Sequence, residues 1–126
     1  KNNYRSVEVV LNKTKINTGD LHVGVIIADF CRTAIQTRLN SGAVIGVGCN
    51  LFGADFPSKN VPSFIWFGSD GYQEYRLDKA IETIRMVLPR RGQDLTDDFE
   101  MLLRNLFYQS QLKRDEFLKE MTSENN

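Results

Sequence analysis

From Leu21 onward the aliphatic residues recur at every sixth position, a spacing that is neither the 3.6-residue period of a helix nor the alternation of a strand. The successive sixes begin at Leu21, Ile27, Thr33, Leu39 and Ile45, and a partial one begins at Leu51, so five of six first positions are aliphatic. The fifth positions are Val25, Cys31, Thr37, Ala43 and Cys49, all small or β-branched. Hexapeptide repeats of this kind build a parallel β-helix, with about three sixes to one triangular coil. The first residue fills the interior, the fifth is small because a corner leaves little room, and glycine eases the chain round it. Residues eighteen apart then stack at the strand spacing of ~4.8 Å. Leu21 is predicted to lie on Leu39, Ile27 on Ile45 and Cys31 on Cys49. The frame fails upstream at Lys15 and downstream at Asp55 and Pro57, leaving about two coils. That is fewer than the three or more units a repeat fold needs to stand alone.

The flanks have different patterns. Val7 to Asn17 is rich in β-branched residues interrupted by Asn12-Lys13-Thr14, which predicts a hairpin. After the repeat, Phe56 to Gly68 carries two prolines and four aromatic residues, as an extended segment does when its rings anchor it to a surface. Leu77, Ile81, Ile84 and Leu88 form an apolar stripe at helical spacing that stops at Pro89. A second helix follows Thr96 as N-cap, with Asp97 and Asp98 at its positive end and Phe99, Leu102, Leu103, Leu106 and Phe107 as its buried face. The predicted fold is therefore mainly β: a left-handed parallel β-helix of about two coils, preceded by a hairpin and followed by a helical extension. Its segments are residues 1–20 (hairpin or incomplete coil), 21–56 (hexapeptide coils), 57–73 (extended), 74–121 (helical tail) and 122–126 (disordered tail).

Composition narrows the classes. At 126 residues there is room for one unit, and sixteen basic residues balance sixteen acidic ones, leaving no net field to draw in nucleic acid or an anionic membrane. No apolar run approaches the ~20 residues of a membrane span, and no signal peptide is evident. A cytoplasmic protein with no nucleic-acid or membrane partner is expected. The first residues, from Lys1, look like the interior of a longer protein. Two cysteines are too few for a secreted disulfide framework and lack zinc spacing, so Cys31 and Cys49 are expected to be reduced.

Lys15-Ile16-Asn17-Thr18-Gly19, Ile26-Ile27-Ala28-Asp29 and Thr37-Arg38-Leu39-Asn40-Ser41-Gly42, followed by Phe56-Pro57 and Pro62-Ser63-Phe64-Ile65-Trp66 and then a helical tail, resemble an alternate branch of the bacterial bifunctional N-acetylglucosamine-1-phosphate uridylyltransferase and glucosamine-1-phosphate acetyltransferase family. The resemblance implies a trimeric β-helix domain that moves acetyl from acetyl-CoA to the amine of a sugar phosphate, with sites between subunits and a nucleotidyltransferase domain elsewhere in the parent protein. Its catalytic histidine lies in coils upstream, so no catalytic residue is assigned in this chain. By the same resemblance His22 occupies a position usually held by a substrate-binding lysine, and Ile35 and Gly53 occupy positions whose backbone groups meet the pantetheine arm of CoA. An imidazole is a poorer partner for phosphate than an ammonium. His22 also reads simply as an exposed corner residue, and Gly53 as a turn where the last coil ends.

Three functions are weighed. The leading one is the acetyl-CoA-dependent acetyltransferase half of a bifunctional enzyme making UDP-N-acetylglucosamine. Another keeps only nucleotidyl transfer, a sugar-1-phosphate thymidylyl- or uridylyltransferase with this chain as an appendage. In the last, the chain only trimerises or regulates a catalytic domain. In each the isolated chain is expected to be catalytically silent, with no metal, and to self-associate.

Overall fold

The computed structural model describes residues 3–124. Strand β1 (Glu8–Leu11) pairs antiparallel with β2 (Thr14–Asn17), Val9 facing Ile16. Asn12 and Lys13 both have positive φ, 48° and 67°, the left-handed pair that a tight two-residue hairpin turn requires. Val7 and Val9 are buried, whereas every residue of β2 is exposed. Val7 N–H donating to Asp20 O at 2.8 Å closes the hairpin, and the Lys59 ammonium donating to Glu8 O at 2.6 Å ties it to the rest of the chain.

Five two-residue strands follow: β3 (Ile26–Ile27), β4 (Arg32–Thr33), β5 (Val44–Ile45), β6 (Asn50–Leu51) and β7 (Asn60–Val61). Two longer ones, β8 (Ile65–Gly68) and β9 (Gly71–Glu74), close the β region. They form one sheet in the order β3-β5-β7, all parallel, and another in the order β4-β6-β8-β9, in which only β8 and β9 are antiparallel.

The expectation of a mainly β chain wound as a left-handed β-helix is corrected here. The chain is mixed α/β, with 34% of it helical against 21% in strands, and its sheets of two to four strands are neither curled nor closed. The hexapeptide spacing dictates local register and little more. Ile27 faces Ile45 and Thr33 faces Leu51, each eighteen residues apart, but the next layer pairs at sixteen, Val44 with Asn60 and Asn50 with Trp66. Strands of two residues bury too little to close a coil on themselves, so the core is completed from outside by a helix. Phe117 packs with Ile45, Cys49, Leu51, Val61, Ile65 and Phe67. The interior role assigned to every first position fails for the same reason. Ile45 and Leu51 are 1% exposed, but Leu21 and Ile27, in the outermost layer, are 45% and 46% exposed.

The extended segment 57–73 carries β7, β8 and most of β9. Phe64 and Phe67 point inward from it, and Phe64 meets Phe107 edge-on at 5.2 Å between centroids. Gly48 sits at φ 69°, where an added Cβ would lie 2.9 Å from the Phe64 ring. Helix α1 (Leu77–Val87) buries Ala80, Ile81 and Ile84, then tightens into a 3-10 turn (Leu88–Arg91) around Pro89. Gly92 closes that turn in the left-handed conformation. Helix α2 (Asp97–Gln109) starts where Phe99 N–H donates to Thr96 Oγ1 at 3.2 Å, and buries Leu103 and Phe107. Glu100 joins the two helices, taking an ion pair from Arg85 and another from Arg104.

A third helix, α3 (Gln111–Glu124), was not foreseen as separate. Its buried residues are Arg114 and Phe117, and Leu118 and Met121 pack beside Phe117 against the core. It carries residues 122–124 of the segment expected to be a disordered tail, while Asn125 and Asn126, like Lys1 and Asn2, lie outside the described residues. Among the described residues no helix is long and apolar enough to cross a membrane.

Candidate functional site

Ile35 and Gly53 come together through register. Thr33 faces Leu51 across the β4–β6 pair, and Ala34 N–H continues the ladder to Leu51 O at 3.0 Å. The chain turns at Ile35 and Gln36, the latter at φ 65°, so that Ile35 and Gly53 leave the paired strands at the same end. Ile35 is 95% exposed. His22 does not join them. It lies on the exposed approach to β3, in the other parallel sheet.

Around Ile35 and Gly53 the surface is an apolar ledge carrying one cation. Arg38 donates from Nη2 to Ala54 O at 3.0 Å, and its guanidinium lies 4.7 Å from the centroid of the Phe56 ring. Phe56 and Phe52 remain 47% and 40% exposed. Phe52 is held by an edge contact to Trp66, at 4.8 Å between centroids. The glycine has a packing reason of its own: a Cβ at position 53 would stand 2.5 Å from the Phe67 ring. Hydrogen is all that fits, whatever binds above it. A ledge of this composition can hold an extended chain by its backbone amides and apolar surface while the guanidinium meets an anionic end.

Sequence reasoning missed a cleft of about 620 Å³ between the hairpin tip and the last two helices. Val44, Val61, Pro62 and Phe117 form its apolar floor, and Lys13 and Lys113 stand at its rim. Lys113 Nζ donates to Asn12 Oδ1 at 3.4 Å, drawing the hairpin turn toward α3. Glu116 and Glu120 continue along the same helix, so the rim carries both signs of charge. The hairpin turn was legible, but nothing in the pattern of α3 indicated what would face it.

No side chain among the described residues hydrogen-bonds to or ion-pairs with the His22 imidazole, and a general base needs a group to orient it. Among the described residues there is also no cluster of three or more metal-ligating side chains. No family model matches this chain, and comparison with curated proteins and with solved structures finds no match.

Proposed function

We propose that this chain is the acyl-donor-binding part of a sugar-nucleotide biosynthesis transferase, one that acetylates the amine of a sugar phosphate with acetyl-CoA, and that it carries no catalytic base of its own. The observation that supports this reading is the meeting of Ile35, Gly53, Arg38 and Phe56 at one end of the β4–β6 pair. The pantetheine arm of CoA is an extended chain with two amides, suited to backbone groups at strand ends, and its phosphates suit a guanidinium. His22 then contributes to the acceptor side only as an exposed imidazole, worth about one hydrogen bond to a sugar phosphate.

In this reading the protein works in the cytoplasm as a homo-oligomer, most simply a trimer. Leu21, Ile26 and Ile27, all between 45% and 49% exposed on and before the edge strand β3, supply an apolar face for assembly. That same face supports the other reading, a non-catalytic oligomerisation or regulatory portion of a sugar-1-phosphate thymidylyl- or uridylyltransferase.

Calorimetric titration separates them. The acyl-donor reading expects saturable binding of acetyl-CoA that falls at least tenfold, or about 1.4 kcal/mol, in Ile35→Asp and Arg38→Ala. Heat-free titration of a folded, oligomeric chain would contradict it and leave the assembly reading standing.

A further inference from the structure

Cys31 and Cys49 hold equivalent places in two paired strands. Arg32 faces Asn50, and Arg32 N–H donates to Cys49 O at 2.9 Å. The two cysteines, one residue earlier on each strand, are thus neighbours at about the 4.8 Å strand spacing. That lies inside the ~4.4–6.8 Å Cα separation that a disulfide tolerates. Both are free thiols. Cys31 Sγ donates to Gly46 O at 2.9 Å and Cys49 Sγ to Pro62 O at 3.1 Å.

Their surroundings differ in a way that gives the pair a direction. Cys49 is 0% exposed, in the centre of the cluster formed by Ile45, Leu51 and Phe117. Cys31 is half-buried in the outer layer and packs against that cluster from one side. A reagent in solution reaches Cys31 first.

We propose that Cys31 and Cys49 form a reversible two-cysteine redox site, oxidised to an intramolecular disulfide by a low-molecular-weight disulfide of the glutathione type. In the first step the Cys31 thiol loses its proton and its sulfur attacks one sulfur of the oxidant. A mixed disulfide forms and one glutathione thiolate leaves. In the second, Cys49 gives up its proton, attacks the Cys31 sulfur and expels the other glutathione thiolate. Two protein thiols are oxidised and one disulfide is reduced to two thiols, so electrons and protons balance.

The lowered Cys31 thiol agrees with this order, while the raised Cys49 thiol slows the resolving step. Hydrogen bonding from Cys49 holds the Cys31 thiol below its ordinary value, although burial and the Asp29 carboxylate oppose this. The same interaction, together with burial, pushes the Cys49 thiol well above its ordinary value. Cys31 is the attacking sulfur and Cys49 the resolving one.

Oxidation also has somewhere to be felt. It withdraws both S–H donors from Gly46 O and Pro62 O, and Gly46, Pro62 and Ser63 line the cleft. Gly46 packs so closely on Ser63 that a Cβ there would run into the Ser63 backbone. A change at the thiols therefore moves the cleft wall.

The test is intact-mass spectrometry of the full chain in oxidised glutathione, followed by dithiothreitol. Wild type is expected to lose two hydrogens without retaining glutathione, and to regain them on reduction. Cys49→Ser should stop at one glutathione on Cys31, and Cys31→Ser should stay unmodified in its folded state, as verified by circular dichroism. Should Cys49→Ser misfold, Cys49→Ala provides the same trapped adduct without a buried hydroxyl. Wild type ending as a stable glutathione adduct, wild type remaining fully reduced, or Cys31→Ser reacting as fast as wild type would each overturn the proposal.

Discussion

Arg114 is wholly buried and donates from Nε to Glu74 Oε2 at 2.8 Å, joining the first turn of α3 to the end of β9. The rest of its guanidinium is also spoken for. It donates to Ser63 O, to Ser110 Oγ, to Phe107 O and to Gln111 Oε1. Its face lies 4.0 Å from the centroid of the Phe107 ring. This one side chain anchors the first turn of α3, and Phe117, Leu118 and Met121 anchor the rest against the core. Arg114→Ala removes all of these donors at once, although Glu74 keeps the Gln111 amide at 2.7 Å and Phe107 O keeps the Ser110 hydroxyl, and a loss of about 2–4 kcal/mol is expected in urea unfolding. Glu74→Gln keeps an acceptor for Nε but takes the ionic partner from a buried guanidinium, and should cost about 1–3 kcal/mol.

Gly19 and Gly48 separate backbone strain from packing. Both have positive φ, 75° and 69°, but a Cβ at Gly19 meets nothing within 4 Å whereas one at Gly48 meets the Phe64 ring at 2.9 Å. Gly19→Ala should cost about 1–2 kcal/mol, the left-handed penalty alone. Gly48→Ala should add about 1–3 kcal/mol for displacing Phe64. Thermal unfolding of the two variants side by side reads the difference, and equal losses would show that Phe64 can move aside freely.

Tyr72 links stability to high pH. Its ring stacks on Phe67 at 4.3 Å and meets Phe117 edge-on at 5.0 Å, while its hydroxyl accepts from Ser58 N–H at 2.7 Å. Burial pushes the phenol above its ordinary value of 10.0, with the Ser58 bond opposing and the Glu124 carboxylate adding to the rise. The folded state therefore holds the proton more tightly than the unfolded chain. The stability this supplies is complete below the unfolded value and is lost as pH rises from 10.0 through the folded value. Urea midpoints should fall over that range in wild type, and the fall should shrink in Tyr72→Phe.

The elements that were legible in the sequence are those whose cause is local. Thr96 followed by Asp97 and Asp98 marks a helix start because a hydroxyl can accept from Phe99 N–H two residues inside the helix. Leu77, Ile81, Ile84 and Pro89 mark α1 and its end in the same way. The eighteen-residue spacing is present in the Ile27–Ile45 and Thr33–Leu51 pairs. What the spacing could not disclose was how many layers it would reach, because Asn60–Val61 and Trp66–Phe67 join at sixteen, outside the repeat. Nor could it disclose that Phe117, fifty residues farther along, would finish the core. The ledge followed from register and resemblance together. The cleft depends on contacts between distant segments, such as Lys113 with Asn12, which leave no periodic trace.

The central claim is that acetyl-CoA is held on the ledge at Ile35 and Gly53 and not in the cleft. Backbone-amide NMR of the labelled chain during an acetyl-CoA titration tests it most directly. Shifts concentrated at residues 34–38 and 52–56, absent in Ile35→Asp and unchanged in His22→Ala, are the predicted result. Shifts concentrated instead at Asn12, Lys13, Val61 and Lys113, or none at all at saturating ligand, would contradict it.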